Sequence, residues 1–131
     1  MLNEMTDKLW QVAKKARSFA YTPYSNYKVG AALLGRSGKI YGGCNVENAA
    51  YSPGNCAERT AIFKAVSEGE RDFVTILVVT ANGGTPCGVC RQVLREFSKD
   101  LEVIVATENT IIKSYRLNEL LLDGFGPEKL A

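Results

Sequence analysis

Three thiols and one carboxylate carry the chemistry available to this chain. Cys56-Ala57-Glu58 and, thirty-one positions beyond that first cysteine, Pro86-Cys87-Gly88-Val89-Cys90 together offer three sulfur ligands to one metal ion, with Glu58 beside the first. A structural zinc site closes its shell with four protein ligands, whereas a catalytic one uses three and keeps a place for water. Water activated in this way needs a group that takes its proton and later delivers it to substrate and leaving group. One carboxylate within hydrogen-bond reach can do both. Cys56, Cys87, Cys90 and Glu58 therefore read as an open zinc site with its own proton carrier, suited to hydrolysis.

The elements that must position these residues are visible in the apolar pattern. Leu9, Val12, Ala13, Ala16 and Ala20 recur at helical spacing from a start near Thr6 or Asp7, and Tyr21-Thr22-Pro23-Tyr24-Ser25 ends that helix. Strands are expected over Lys28–Leu34 and Lys39–Val46, joined by a hairpin at Gly35-Arg36-Ser37-Gly38. A helix over Cys56–Glu68 with Asn55 as N-cap, a central strand over Phe73–Thr80, and a helix over Cys87–Phe97 with Pro86 in its first turn come next. Strands over Leu101–Ala106 and Ile111–Tyr115 and a short helix complete the chain. This order implies an α/β fold in three layers: a five-stranded mixed sheet with helices on both faces, residues 1–131 forming a single domain. Both cysteine motifs fall at helix N-termini, where free N–H groups and the helix dipole favour thiolate. Three thiolates on a divalent zinc leave an excess of negative charge, which Arg59 and Arg91, each one residue past a motif, could offset.

Composition removes other classes. With 131 residues, 46% hydrophobic and 23% charged, the chain can bury a real core. A net charge of +2 without a basic run argues against nucleic acid, and no apolar run reaches membrane-spanning length. The Met1-Leu2-Asn3-Glu4 start lacks the marks of a secretion signal, so the expected location is the cytoplasm, where thiols stay reduced. There is no histidine, which excludes His-based triads and every His-containing zinc ligand set.

Duller explanations accompany each residue. Glu58 stands three positions after Asn55, where glutamate closes a capping box. A lone C-x-x-C also serves thiol redox sites and structural zinc knuckles. Cys44 could add a fourth ligand and close the site, although a buried free thiol is the commoner fate of a strand cysteine. Asn45 and Glu47 could simply decorate a strand end, and Phe125 could be ordinary packing. A structural-zinc interaction module and a Cys87/Cys90 oxidoreductase are thus the competing classes.

Taken together, Cys56-x-Glu58 and Pro86-Cys87-x-x-Cys90 match the three-cysteine form of the zinc deaminase signature. Tyr24 to Leu33, Gly43 to Tyr51 and the Cys56 helix resemble the small, homotetrameric type of cytidine deaminase, and the resemblance runs from the first helix to about Leu130. It implies one zinc per chain on Cys56, Cys87 and Cys90. Hydroxide held there would attack C4 of cytidine or 2′-deoxycytidine while Glu58 shuttles protons, giving uridine or 2′-deoxyuridine and ammonia for pyrimidine salvage. Asn45 and Glu47 would bond the ribose 3′-hydroxyl, Ala57 and Tyr27 would line the substrate pocket, and Arg59 would bond to ligating sulfurs. Phe125 would reach the active site of a neighbouring subunit. Tyr27 departs from the phenylalanine usual in that family; it keeps a stacking face and adds a hydroxyl that either changes affinity or finds a partner outside the pocket. The nearest enzymatic rival is deamination of another amino-heterocycle, such as a blasticidin-type nucleoside antibiotic.

Overall fold

In the computed structural model, which describes residues 3–130, the elements run α1 (Glu4–Arg17), β1 (Gly30–Gly35), β2 (Ile40–Cys44), α2 (Ala57–Ser67), β3 (Phe73–Val79), α3 (Gly88–Phe97), β4 (Glu102–Ala106), β5 (Ile111–Arg116) and α4 (Leu117–Leu120), with a 3-10 turn at Pro127–Lys129. The strands form one sheet in the order β2-β1-β3-β4-β5. β1 pairs antiparallel with β2 and β3, β3 runs parallel to β4 through the α3 crossover, and β5 returns antiparallel to β4. The expected five-stranded mixed sheet is therefore present.

Alternation of side chains along the strands divides the core between two faces. Ala31, Leu33, Ile76, Val78 and Val103 pack with Ala57, Ala61, Ile62 and Ala65 of α2 and Leu94 of α3. Ala32, Leu34, Leu77, Val79 and Ile104 pack on the other face with Leu9 and Ala13 of α1. The leucine, isoleucine and valine side chains among these each contribute about 1.5–3 kcal/mol by leaving water. Two glycines set how closely the helices approach. A Cβ on Gly30 would lie 2.0 Å from the Ala13 carbonyl oxygen, and one on Gly43 would lie 2.6 Å from the Ala61 nitrogen and 2.8 Å from the Ala57 oxygen. The first lets α1 rest on β1; the second lets the N-terminal half of α2 rest on β2.

Several boundaries differ from the sequence expectation for local reasons. α1 begins at Glu4 because Asn3 caps it, accepting from Thr6 N at 2.7 Å; that first turn is polar and outside the apolar repeat. It stops at Arg17, before Ala20, with Ser18 as C-cap. β2 ends at Cys44, and Val46 instead makes isolated bridges with Tyr21 and Asn55. That bridging changes the start of α2. Asn55 N and the Val46 carbonyl, and Val46 N and the Asn55 carbonyl, are already paired, so the N-cap is Cys56 and not Asn55. The Asn55 side chain donates to Thr60 Oγ1, and the capping box expected with Glu58 does not form. Pro86 likewise lies outside α3, whose N-cap is Cys87.

Candidate metal centre and active site

Cys56 caps α2, Cys87 caps α3, and Cys90 lies in the first turn of α3. The two helices follow β2 and β3 on the same face of the sheet, so their N-termini converge. The three sulfurs lie within 4.8 Å of one another, and Cys56 Sγ stands 3.9 Å from Cys87 Sγ. Sulfurs bound tetrahedrally at about 2.3 Å from zinc would be about 3.8 Å apart, so the trio has the spacing and donor type for one zinc ion. Cys44 is not in this group; it sits half-buried at the end of β2, and burial pushes its thiol up. The four-cysteine centre is thereby ruled out for the described arrangement.

The electrostatics suit a thiolate site. A hydrogen bond from the Cys90 thiol, reinforced by the Arg59 guanidinium, pulls Cys56 down to about 5 despite its burial. The same bond, together with burial, pushes Cys90 upward. Arg59 Nη2 donates to Cys56 Sγ at 3.2 Å, while its Nε is buried with no partner among the described residues. The expectation for Arg91 is corrected. Its guanidinium donates to the Pro86 carbonyl, the Leu120 carbonyl and Thr85 Oγ1, so it braces the loop before Cys87 rather than offsetting thiolate charge.

Glu58 occupies the second position of α2 and turns inward, only 5% exposed. Burial raises its carboxyl to about 7, with the Cys56 thiolate adding to the rise and Arg59 opposing it. A carboxyl in that range can both accept and return a proton near neutral pH. Freed from capping, it lines a cavity of about 250 Å³ with Cys56, Ala57, Cys87, Tyr27, Asn45 and Glu47.

Asn45 and Glu47 lie just past β2, where the chain leaves the ladder. Asn45 Oδ1 accepts from Val29 N at 2.9 Å and Nδ2 donates to the Tyr27 carbonyl at 2.8 Å. The Glu47 carboxylate accepts from the amides of Tyr24 and Ser25 at 3.0 and 3.1 Å and from the Ser25 hydroxyl. The Ser25 hydroxyl and these amides hold Glu47 below the usual carboxylate range, keeping it ionised. A second hollow of about 490 Å³ shares Ser25, Asn45, Glu47 and Cys56 with the first. Phe125 is not brought to this cavity: it is 53% exposed and its carbonyl accepts from Gln92 on α3. Sequence reasoning missed Thr80, Gly84 and Thr85, which also line the cavity. The only signal for them was the turn-rich Asn82-Gly83-Gly84-Thr85 run directly before Pro86.

Comparison with known proteins agrees with this geometry. Residues 3–107 match the family described as the cytidine and deoxycytidylate deaminase zinc-binding region. A cytidine deaminase of Sporosarcina psychrophila is 48% identical over 128 residues, covering 95% of this chain and 94% of that protein. The crystal structure of cytidine deaminase from Burkholderia pseudomallei superposes with a TM-score of 0.88 at 45% identity, covering 95% of this chain and 100% of that one. The corresponding enzyme from Mycobacterium tuberculosis gives a TM-score of 0.81 at 36% identity, with 92% and 96% covered. With its three converging thiols, inward-turned glutamate and matched length, the chain belongs to the cytidine and deoxycytidylate deaminase family of zinc enzymes.

Proposed function

We propose that this protein deaminates cytidine and 2′-deoxycytidine to uridine and 2′-deoxyuridine, consuming water and releasing ammonia. The observation that carries the reading is the meeting of Cys56, Cys87 and Cys90 in one cluster, two of whose thiols, Cys56 and Cys87, line a cavity with the buried Glu58 carboxyl. The three thiolates would hold zinc, which when bound supplies Lewis acidity to water at neutral pH. Glu58 would receive the proton that water gives up, protonate N3 of the pyrimidine, and pass a further proton to the exocyclic amino group as it leaves. Its buried setting supports both roles, because a carboxyl near neutrality changes protonation state at little cost. Asn45 and Glu47 would take the ribose 3′-hydroxyl, one amide and one ionised carboxylate supplying donor and acceptors. Ala57 and Tyr27 would complete the wall.

Loss of ultraviolet absorbance on adding cytidine tests the reading directly. Zinc-loaded protein should turn cytidine over, and chelation should abolish the signal. Glu58→Gln should keep zinc and fold yet lose at least about 10²-fold in kcat. No turnover by zinc-loaded wild-type protein would overturn the assignment; full activity in the glutamine variant would overturn the role of Glu58.

We further infer a homotetramer with shared active sites, located in the cytoplasm. Phe125 supports the first point, since it is exposed on its own chain and absent from its own cavity. Three metal-binding thiols that must stay reduced support the second. Among the described residues no helix is long and apolar enough to cross a membrane. Sedimentation equilibrium should return four times the chain mass, and a monomeric mass at micromolar concentration would reject the assembly.

A further inference from the structure

Tyr27 is tied down at both ends. Its amide donates to Ser25 Oγ at 3.0 Å and its carbonyl accepts from Asn45 Nδ2 at 2.8 Å, which anchors it to the residues assigned to the sugar. Its hydroxyl donates to Asn82 Oδ1 at 2.6 Å, in the loop between β3 and α3. Thr80 organises that loop. Its buried hydroxyl accepts from Gly83 N at 2.7 Å and Gly84 N at 3.0 Å, and donates to the same Asn82 oxygen at 3.4 Å. Gly84 makes the approach possible, because a Cβ there would lie 3.1 Å from the Tyr27 hydroxyl oxygen. One phenol thus joins the segment before β1 to the loop that runs into Cys87, and Tyr27, Thr80 and Gly84 all line the cavity beside Glu58.

We propose that Tyr27 is a positioning residue for the nucleoside: through Asn82, its hydroxyl fixes the 80–84 loop so that this cavity wall is in place before substrate arrives. The proposal rests on the deaminase reading. A wall already ordered costs substrate nothing to organise, whereas a loosened loop must be ordered by binding, which lowers affinity. Phenylalanine would keep the ring and remove only the tie, leaving Asn82 Oδ1 with the longer Thr80 contact. Among the described residues the thiols bond to one another and to Arg59 rather than to this network, so the effect of the tie falls on binding rather than on kcat.

The test compares Tyr27→Phe, Asn82→Ala and the double variant, each zinc-loaded. Loss of one neutral hydrogen bond predicts KM for cytidine and Kd for uridine, by calorimetry, raised about 3- to 10-fold in each single variant. kcat should stay within about twofold of wild type, and the double variant should be no weaker than the worse single one. Amide hydrogen exchange over residues 80–85 should quicken in all three. Additive losses of affinity, unchanged uridine binding in both single variants, or unchanged exchange in that loop would each overturn the proposal. The exchange measurement needs no turnover, so a wild-type protein that fails to act on cytidine would reject the deaminase reading while the tie between Tyr27 and Asn82 is judged separately.

Discussion

Arg59 shows how much one side chain decides at the metal centre. Its guanidinium lies 3.2 Å from Cys56 Sγ and lowers that thiol both by its hydrogen bond and by its charge. Arg59→Met should therefore weaken zinc about 10- to 100-fold, read by competition with a coloured chelator. Cys44→Ser should leave one zinc per chain by atomic absorption, since that thiol stands outside the cluster. The grouping of Cys56 with Glu58 and of Cys87 with Cys90 was legible in the sequence, because each pair lies within a single turn. Arg91 was misread because adjacency to a thiol says nothing of partners; its guanidinium bonds the Pro86 and Leu120 carbonyls and the Thr85 hydroxyl. The partners of Glu47 and Asn45 could not be read at all, because Tyr24, Ser25 and Val29 meet them only after the chain folds back.

At the scale of elements, the position of α2 governs the site, since Cys56 caps it and Glu58 follows in its first turn. Gly43 admits that helix to the sheet through contacts with backbone atoms that cannot swing aside. Gly43→Ala should cost about 1–3 kcal/mol in chemical denaturation and weaken zinc as well, because the helix must shift. Gly38→Ala is the contrast: it strains a residue at φ 95° but meets no atom within 4 Å. It should cost about 1 kcal/mol and leave zinc affinity alone. Strand and helix order followed from periodicity, whereas boundaries slipped wherever a backbone bridge or cap intervened. Asn55 is the instructive case. It is a good capping residue by type, but its backbone is already committed to Val46, so the helix starts one residue later and Glu58 is released toward the cavity.

For the whole molecule, acid stability should follow carboxylates that the fold holds ionised. Glu47, Glu70 and Glu128 are all lowered, Glu128 chiefly by its hydrogen bond to Arg95 at 2.5 Å. A carboxylate whose folded value lies below its unfolded value of about 4.3 adds stability that is full above that pH and is lost as pH falls through the folded value. Glu128→Gln should therefore lower the thermal midpoint at pH 7, and its gap from wild type should close below about pH 4. The three-layer arrangement was legible as a whole, yet the joining of Arg95 to a C-terminal turn thirty-three residues away was not. The two capping cysteines have a further consequence for the chain as a polymer. An ion gripping Cys56 and Cys87 closes a loop of thirty-one residues that contains α2 and β3. If the ion stayed bound in the unfolded chain, that closure alone would remove disordered-state entropy worth about 3–4 kcal/mol, as a disulfide across the same span would. The metal is then a removable cross-link, and chelation should lower the denaturation midpoint and slow refolding in denaturant jumps even where no substrate is present.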